Sequence, residues 1–288
     1  MELKITDVRQ NPGDSAFLID YGKTAILYDT GFGFTGFDIA DKIKNELGNR
    51  TLDYIFLTHS HYDHALGSAY ILQKYPKAQV VASEYAAYIF SKPSAKEVMK
   101  KLDREFAKKC GVTEYEDLAD SLRVDIAVKD GDCIQAGDMR FLAIALPGHT
   151  KCSMGFYLES EKLLLNSETV GIYDGESTVL PSYLVGYQMT LESIDKVRAL
   201  EISQIVLPHY GLLAKDKTEF YLSECKKSAV STFEEISTML DEGKSKAEAV
   251  KYFKDRFYRG NVRVIYPPDA IDLNTNIMVD LIEREKKE

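Results

Sequence analysis

Tryptophan is absent from this 288-residue chain, and histidine is scarce, with five residues in all. Cysteine is equally sparse. The four thiols, Cys110, Cys133, Cys152 and Cys225, are scattered, and no C-x-x-C pair occurs. Neither a disulfide framework nor a thiolate-rich structural zinc site is expected, and the thiols read as reduced residues of a cytoplasmic protein. No run of 18 apolar residues is present, so a membrane-spanning helix is not expected either. The first twenty residues carry charge early and lack the apolar stretch of a signal peptide. Positive charge is in deficit: 36 Lys and Arg stand against 45 Asp and Glu, a formal net charge of −9. That balance disfavours nucleic acid as a partner, because phosphate contacts need clustered Lys and Arg. What remains is an ordinary globular mixture, 45% hydrophobic and 28% charged, long enough to bury its own core.

Short β-rich runs alternate with helical patterns over the first 85 residues. Residues 16–19 and 25–28 read as strands, the second running into Asp29-Thr30-Gly31. Ile39, Ile43 and Leu47 recur at i, i+4 and i+8, an amphipathic stripe closed by Gly48. Residues 54–58 form a continuous apolar strand of the buried kind, followed by a helical stretch through Leu72 and a strand at 79–82. Such alternation predicts an α/β fold. Residues 85–123 break the rhythm and read as a helical insertion. Within them Ser94 and Glu97 have capping-box spacing, and Val98, Leu102 and Phe106 share one helix face. Thr113 and Glu116 repeat the capping pattern for a shorter helix. Strands return near Ile134 and at 139–145, 153–158 and 162–165, and a helix carrying Leu191, Ile194, Val197 and Leu200 leads to a strand at 204–207. Beyond Thr218 the pattern is helical. Leu222, Cys225, Ala229, Phe233, Ile236 and Leu240 make a stripe closed by Gly243; Ser245 and Glu248 cap another helix, and Pro267-Pro268-Asp269 opens the last.

All five histidines follow apolar runs at points where the chain turns. Three lie in His59-Ser60-His61-Tyr62-Asp63-His64; the others are His149, in Leu-Pro-Gly-His-Thr, and His209, in Val-Leu-Pro-His-Tyr-Gly. Imidazole combined with carboxylate suits zinc, iron or manganese. His59 and His61, two apart on an extended turn, point the same way. Asp63 and His64 open the next helix and can aim at a neighbouring point. One ion could take the first pair and a second ion the other, each completed from distant segments. His149 and His209 are the evident completions. Glu168, after the strand 163–165, is the carboxylate placed to tie two ions together, with Asp174 as the alternative acid. Two-metal sites hold their ions about 3.5–4 Å apart, where they clamp a hydroxide and polarise a substrate oxygen.

The ordered set His59, His61, Asp63, His64, His149, Glu168 and His209 resembles the metallo-β-lactamase superfamily. The Asp29-Thr30-Gly31 turn, the Pro147-Gly148-His149-Thr150 run and the two strand-and-helix halves belong to the same resemblance. It implies an αββα sandwich over residues 1–215, interrupted by the 85–123 helical insertion, with a C-terminal helical extension at 216–288 packed on the same domain. It further implies that His59, His61 and His149 hold one metal ion and Asp63, His64 and His209 a second. Glu168 would then stand at the bridging position, and Asp29 would orient a ligand from behind, as ligating imidazoles generally require. One departure concerns that bridge: the family usually has Asp within a Gly-Asp pair, whereas this chain has Ser167-Glu168.

The implied activity is that of a metal-dependent hydrolase with two divalent ions, zinc by default, with manganese or iron compatible. A metal-bound hydroxide would attack a small-molecule ester, thioester, lactone, lactam or phosphodiester, with Asp63 as the catalytic residue that orients it. Two other readings stay open: an iron-dependent oxidoreductase of the same fold, and a non-catalytic protein that binds metal or ligand. Bland readings attach to the remaining candidates. Cys152 reads as a small buried residue. Tyr173, Tyr183, Tyr187 and Tyr210 read as packing residues, and Arg256, Arg259 and Arg263 as a solvated helix end and not an anion clamp. The oligomeric state stays open.

Overall fold

A computed structural model describes residues 3–287 of the chain. They divide into two compact units, one formed by residues up to 145 with 154–160, the other by 146–153 and everything from 161 onward.

The first unit contains β1 (Lys4–Asp7), β2 (Phe17–Tyr21), β3 (Thr24–Tyr28), α1 (Gly36–Leu47), β4 (Tyr54–Phe56), α2 (Tyr62–Ala65), α3 (Gly67–Lys74), β5 (Gln79–Ser83), α4 (Glu84–Phe90), α5 (Pro93–Lys109), β6 (Ile126–Val128), β7 (Cys133–Ala136), β8 (Met139–Ala145) and β9 (Met154–Leu158). Strands β1 to β6 lie side by side in chain order, antiparallel from β1 to β3 and parallel from β3 to β6. The parallel part carries the continuous apolar runs, as strands covered on both faces must. Ile26, Leu27, Ile55, Phe56, Val80 and Val81 are all wholly buried. Strands β7, β8 and β9 form an antiparallel meander. Phe56 packs its ring against Phe141 and Phe156 of that meander, at 5.1 and 4.7 Å between centroids. Helix α1 buries the expected stripe of Ile39, Ile43 and Leu47, and Gly48 ends it in a left-handed conformation (φ 61°).

The insertion departs from its sequence reading. Helix α5 starts at Pro93, whose fixed φ suits a first turn, so Ser94 and Glu97 fall inside the helix and form no capping box. Its buried side is Met99, Asp103 and Ala107, while Val98 is 57% exposed and Leu102 36%. The face is rotated because the helix docks through a carboxylate. Gly33 N donates to Asp103 Oδ1 at 2.9 Å, and the Tyr115 hydroxyl donates to Oδ2 at 2.5 Å. Burial pushes the Asp103 carboxyl up to about 6 despite those two donors. Phe106 does face inward, stacking on Phe32 with centroids 4.6 Å apart. No α-helix follows Thr113; the segment is pinned instead by Tyr70, whose hydroxyl donates to the Glu116 carbonyl at 2.7 Å.

The second unit contains β10 (Leu163–Leu165), β11 (Ile172–Tyr173), β12 (Val179–Leu180), α6 (Tyr187–Arg198), β13 (Gln204–Leu207), β14 (Gly211–Leu212), α7 (Thr218–Asp241), α8 (Lys246–Phe257), α9 (Gly260–Ile265) and α10 (Pro268–Glu285). Strand β10 pairs in parallel with β13, β13 antiparallel with β14, and β11 with β12 as a separate hairpin. Helix α7 buries Tyr221, Cys225, Ala229 and Ile236, four positions of its inner side. Helix α8 begins with the capping box that the Ser245 and Glu248 spacing predicts. Helix α9 has no counterpart in the sequence reading. It is short, and its Gly260 (φ 49°) lies so close to the Asp174 carbonyl oxygen that a Cβ would stand 2.2 Å away. Among the described residues no helix is long and apolar enough to cross a membrane.

Candidate metal centre

In the first unit the expected donors occupy the turn after β4 (His59 and His61) and the helix α2 that follows it (Asp63 and His64). Strand β3 delivers Asp29, a wholly buried acid in a left-handed conformation (φ 54°). Its Oδ1 accepts from Thr58 N at 2.8 Å; its Oδ2 accepts from the Ser15 hydroxyl at 2.9 Å and lies 2.8 Å from His64 Nδ1. Thr58 Oγ1 stands 3.0 Å from both Asp29 oxygens and 2.9 Å from His59 Nδ1. The Nδ1 atoms of His59 and His64 are thus both engaged, which leaves Nε2 as the nitrogen able to ligate. His61 precedes α2, and its carbonyl accepts from His64 N and Ala65 N.

Ring centroids lie 4.5 Å apart for His59 and His61 and 4.0 Å apart for His59 and His64. Donor atoms of His59 and His61 come within 4.8 Å of one another, as do those of Asp63 and His64. The His64 carbonyl is itself clamped, accepting from Thr30 N at 2.8 Å and from Thr30 Oγ1 at 2.7 Å. Gly67 permits this approach, since a Cβ there would stand 2.0 Å from the Thr30 carbonyl oxygen.

In the second unit three donors come from three separate turns. His149 follows Gly148 (φ 145°), where a Cβ would stand 2.0 Å from Thr190 Oγ1. Its backbone N–H donates to Thr169 Oγ1 at 3.1 Å, and its Nδ1 lies 2.8 Å from Ser182 Oγ and 3.1 Å from the Ser182 carbonyl oxygen. Its Nε2 lies 2.8 Å from Glu168 Oε2. His209, in a left-handed conformation (φ 60°) between β13 and β14, puts its Nε2 2.9 Å from Glu168 Oε1. The Tyr266 hydroxyl donates to the same Oε1 at 2.7 Å. His149, Glu168 and His209 are each at most 2% exposed. Burial alone would raise the Glu168 carboxyl, but the His149 and His209 imidazoles beside it hold it well below the usual carboxylate range.

The alternative candidates have structural partners. Asp174 Oδ1 accepts from the backbone N–H groups of Glu176, Ser177 and Thr178, and its Oδ2 from Arg259 Nε at 3.1 Å, so it closes the β11–β12 hairpin. Arg256 donates to Glu235, and Arg263 to the Tyr258 carbonyl; the three arginines converge on no common point in these contacts. Cys152 is buried, with Sγ 3.2 Å from Thr150 Oγ1. Tyr173 and Tyr183 are buried too, and Tyr187 stacks on Phe233 at 4.0 Å.

The donor chemistry fits a divalent ion. The donors are imidazole nitrogens and carboxylate oxygens, the set that suits zinc, manganese or iron. Among residues whose side chains touch expected donor side chains, Thr58 at His59, Ser182 at His149 and Tyr266 at Glu168 escape the sequence reading. Thr58 had a usable signal, its place between the apolar strand and the first histidine. The other two had none, since a hydroxyl acquires its partner only when the chain folds.

A model of the metallo-beta-lactamase superfamily matches residues 13–209. The chain is similar to the metallo-beta-lactamase fold-containing protein ST1585 of Sulfurisphaera tokodaii, 28% identical over 180 residues, 60% of this chain and 66% of that protein. It is also similar to a hydroxyacylglutathione hydrolase of Brucella anthropi, 30% identical over 120 residues, 42% of this chain and 34% of the relative. Both matches leave a third or more of the relative's length outside them. Among solved structures, the metallo-beta-lactamase family protein TTHA1429 of Thermus thermophilus has the same fold, with a TM-score of 0.62 at 20% identity over 94% of this chain and 88% of that one. The family match contains the Asp29 turn and all seven expected donors, and the chain belongs to the metallo-beta-lactamase superfamily.

Proposed function

We propose that this protein is a dinuclear metallohydrolase acting on a small-molecule ester, thioester, lactone, lactam or phosphodiester. Superfamily membership supports a metal-dependent hydrolase in general. The observation that carries the finer reading is the held state of the imidazoles. Thr58, Asp29 and Ser182 engage the Nδ1 atoms of His59, His64 and His149, which turns each Nε2 into the ligating atom. In this reading His59, His61 and His149 hold one ion, Asp63, His64 and His209 the other, and Glu168 serves both. Zinc is the default occupant, and manganese or iron suits the same donors.

When bound, such ions supply Lewis acidity, lowering the pKa of water and polarising a substrate carbonyl or phosphoryl oxygen. The chain's residues do the rest. Asp63, with a side chain 17% exposed, is the donor best placed to orient an attacking water while the buried histidines exclude bulk solvent. The net charge of −9 favours a small molecule over nucleic acid as substrate. The test is elemental analysis of protein purified without added metal, followed by a panel of these substrates with and without chelator. Two divalent ions per chain, with hydrolysis lost on chelation and restored by metal, is the expected result. Metal-free protein that also refuses added ions overturns the proposal; iron with oxygen consumption and no hydrolysis replaces it with an oxidoreductase.

A further inference from the structure

Glu is one methylene longer than Asp and has an extra side-chain torsion to fix before its carboxylate can serve as a ligand. In this chain the groups that the Glu168 carboxylate meets include His149, His209 and Tyr266, and these three are not equivalent. His149 Nε2 and His209 Nε2 lie at 2.8 and 2.9 Å. An imidazole nitrogen that ligates an ion cannot also hold the carboxylate. The third group, the Tyr266 hydroxyl at 2.7 Å from Oε1, lies outside the expected donor set, so it has no ion to turn to and can hold the carboxylate. A hydrogen bond to an ionised, buried carboxylate is of the stronger kind.

Tyr266 is itself well fixed. Its backbone N–H donates to the Val262 carbonyl at 3.0 Å, and its own carbonyl accepts from the Tyr258 hydroxyl at 3.0 Å. The residue is 8% exposed and borders a small pocket with Ile172, Phe253, Ile271 and Met278. Pro267 and Pro268 follow at once and stiffen the exit from α9. Every one of these supports comes from residues after 171, most from the C-terminal helices.

We propose that Tyr266 is a positioning residue for Glu168, so that the C-terminal helices form part of the metal site and compensate for Glu where the family usually has Asp. The inference rests on the dinuclear reading above. Its test is zinc titration of metal-stripped protein by calorimetry, comparing wild type, Tyr266→Phe, Glu168→Asp and the double variant, with circular dichroism confirming that each is folded. Tyr266→Phe removes one oxygen and keeps the ring, and is expected to weaken the second ion about 10–100-fold while leaving the first nearly unchanged. In the Glu168→Asp background, where the carboxylate retracts from the phenol, the same substitution is expected to change little. Wild-type protein that takes up no zinc overturns the dinuclear reading and this inference together. Wild-type uptake with an unchanged Tyr266→Phe titration overturns the inference alone, and so does an equal loss in both backgrounds.

Discussion

In the turn after β4, four expected donors occupy six residues, and two of them, His59 and His64, share one support. Asp29 reaches His64 directly, His59 through Thr58, and the turn's backbone through Thr58 N. The donors of the second unit have separate supports. His149 leans on Ser182 and Thr169, and Glu168 on Tyr266. A shared support concentrates risk: one substitution disturbs several donors at once. Separate supports spread it, so that each loss stays with one donor.

Removing a donor outright is the strongest perturbation and the baseline for the rest. His61→Ala is expected to lose the first ion and reduce hydrolysis to the buffer background, by elemental analysis and turnover assay. Activity surviving in metal-stripped protein would sink the mechanism. Next comes the shared support. Asp29→Ala leaves Thr58 N, the Ser15 hydroxyl and His64 Nδ1 without their buried acceptor, a loss on the order of 3 kcal/mol in urea melts, together with weaker binding of both ions. Ser182→Ala should cost less, about tenfold in affinity for one ion, because the residue 182 carbonyl still lies 3.1 Å from His149 Nδ1. Equal losses from the two variants would erase the distinction between shared and separate supports. Glu168→Gln is expected to lower occupancy of the second ion more than the first; a titration with both unchanged removes Glu168 from the ligand set.

The smallest effect concerns a region outside the donors, the docking of α5 through Asp103. Its folded pKa of about 6 stands above the ordinary 3.8, so its contribution to stability is fullest below about pH 4 and is lost as the pH rises through 6. Wild type should therefore lose about 2 kcal/mol relative to Asp103→Asn between pH 4 and pH 7. Urea melts at both ends of that range decide it, and a constant difference between the proteins refutes it.

The same contrast between local and dispersed explains what could be read beforehand. The strands β3, β4 and β5 are continuous apolar runs, and α1 and α8 carry their stripe and their cap within a few residues, so pattern and burial coincide. The histidine-rich turn is legible for the same reason: its chemistry is contiguous. The α5 face was not, because a helix that docks through a buried acid carries no apolar periodicity at the contact. Helix α9 was too short to show a period, and the partnership of Ser182 with His149 links positions 33 residues apart. No local rule connects such pairs.

The Tyr266–Glu168 contact, which spans 98 residues, also sets an order of events. At the ordinary rate of synthesis, about 5–20 residues per second, Glu168 emerges about 5–20 s before the tyrosine that will hold it. During that interval the nascent chain has made its donors as far as Glu168, and soon His209, with the phenol still unmade. A chain arrested before residue 266 would own the full set of expected ligands and lack the clamp on one of them, which makes synthesis past residue 266 the step that supplies it.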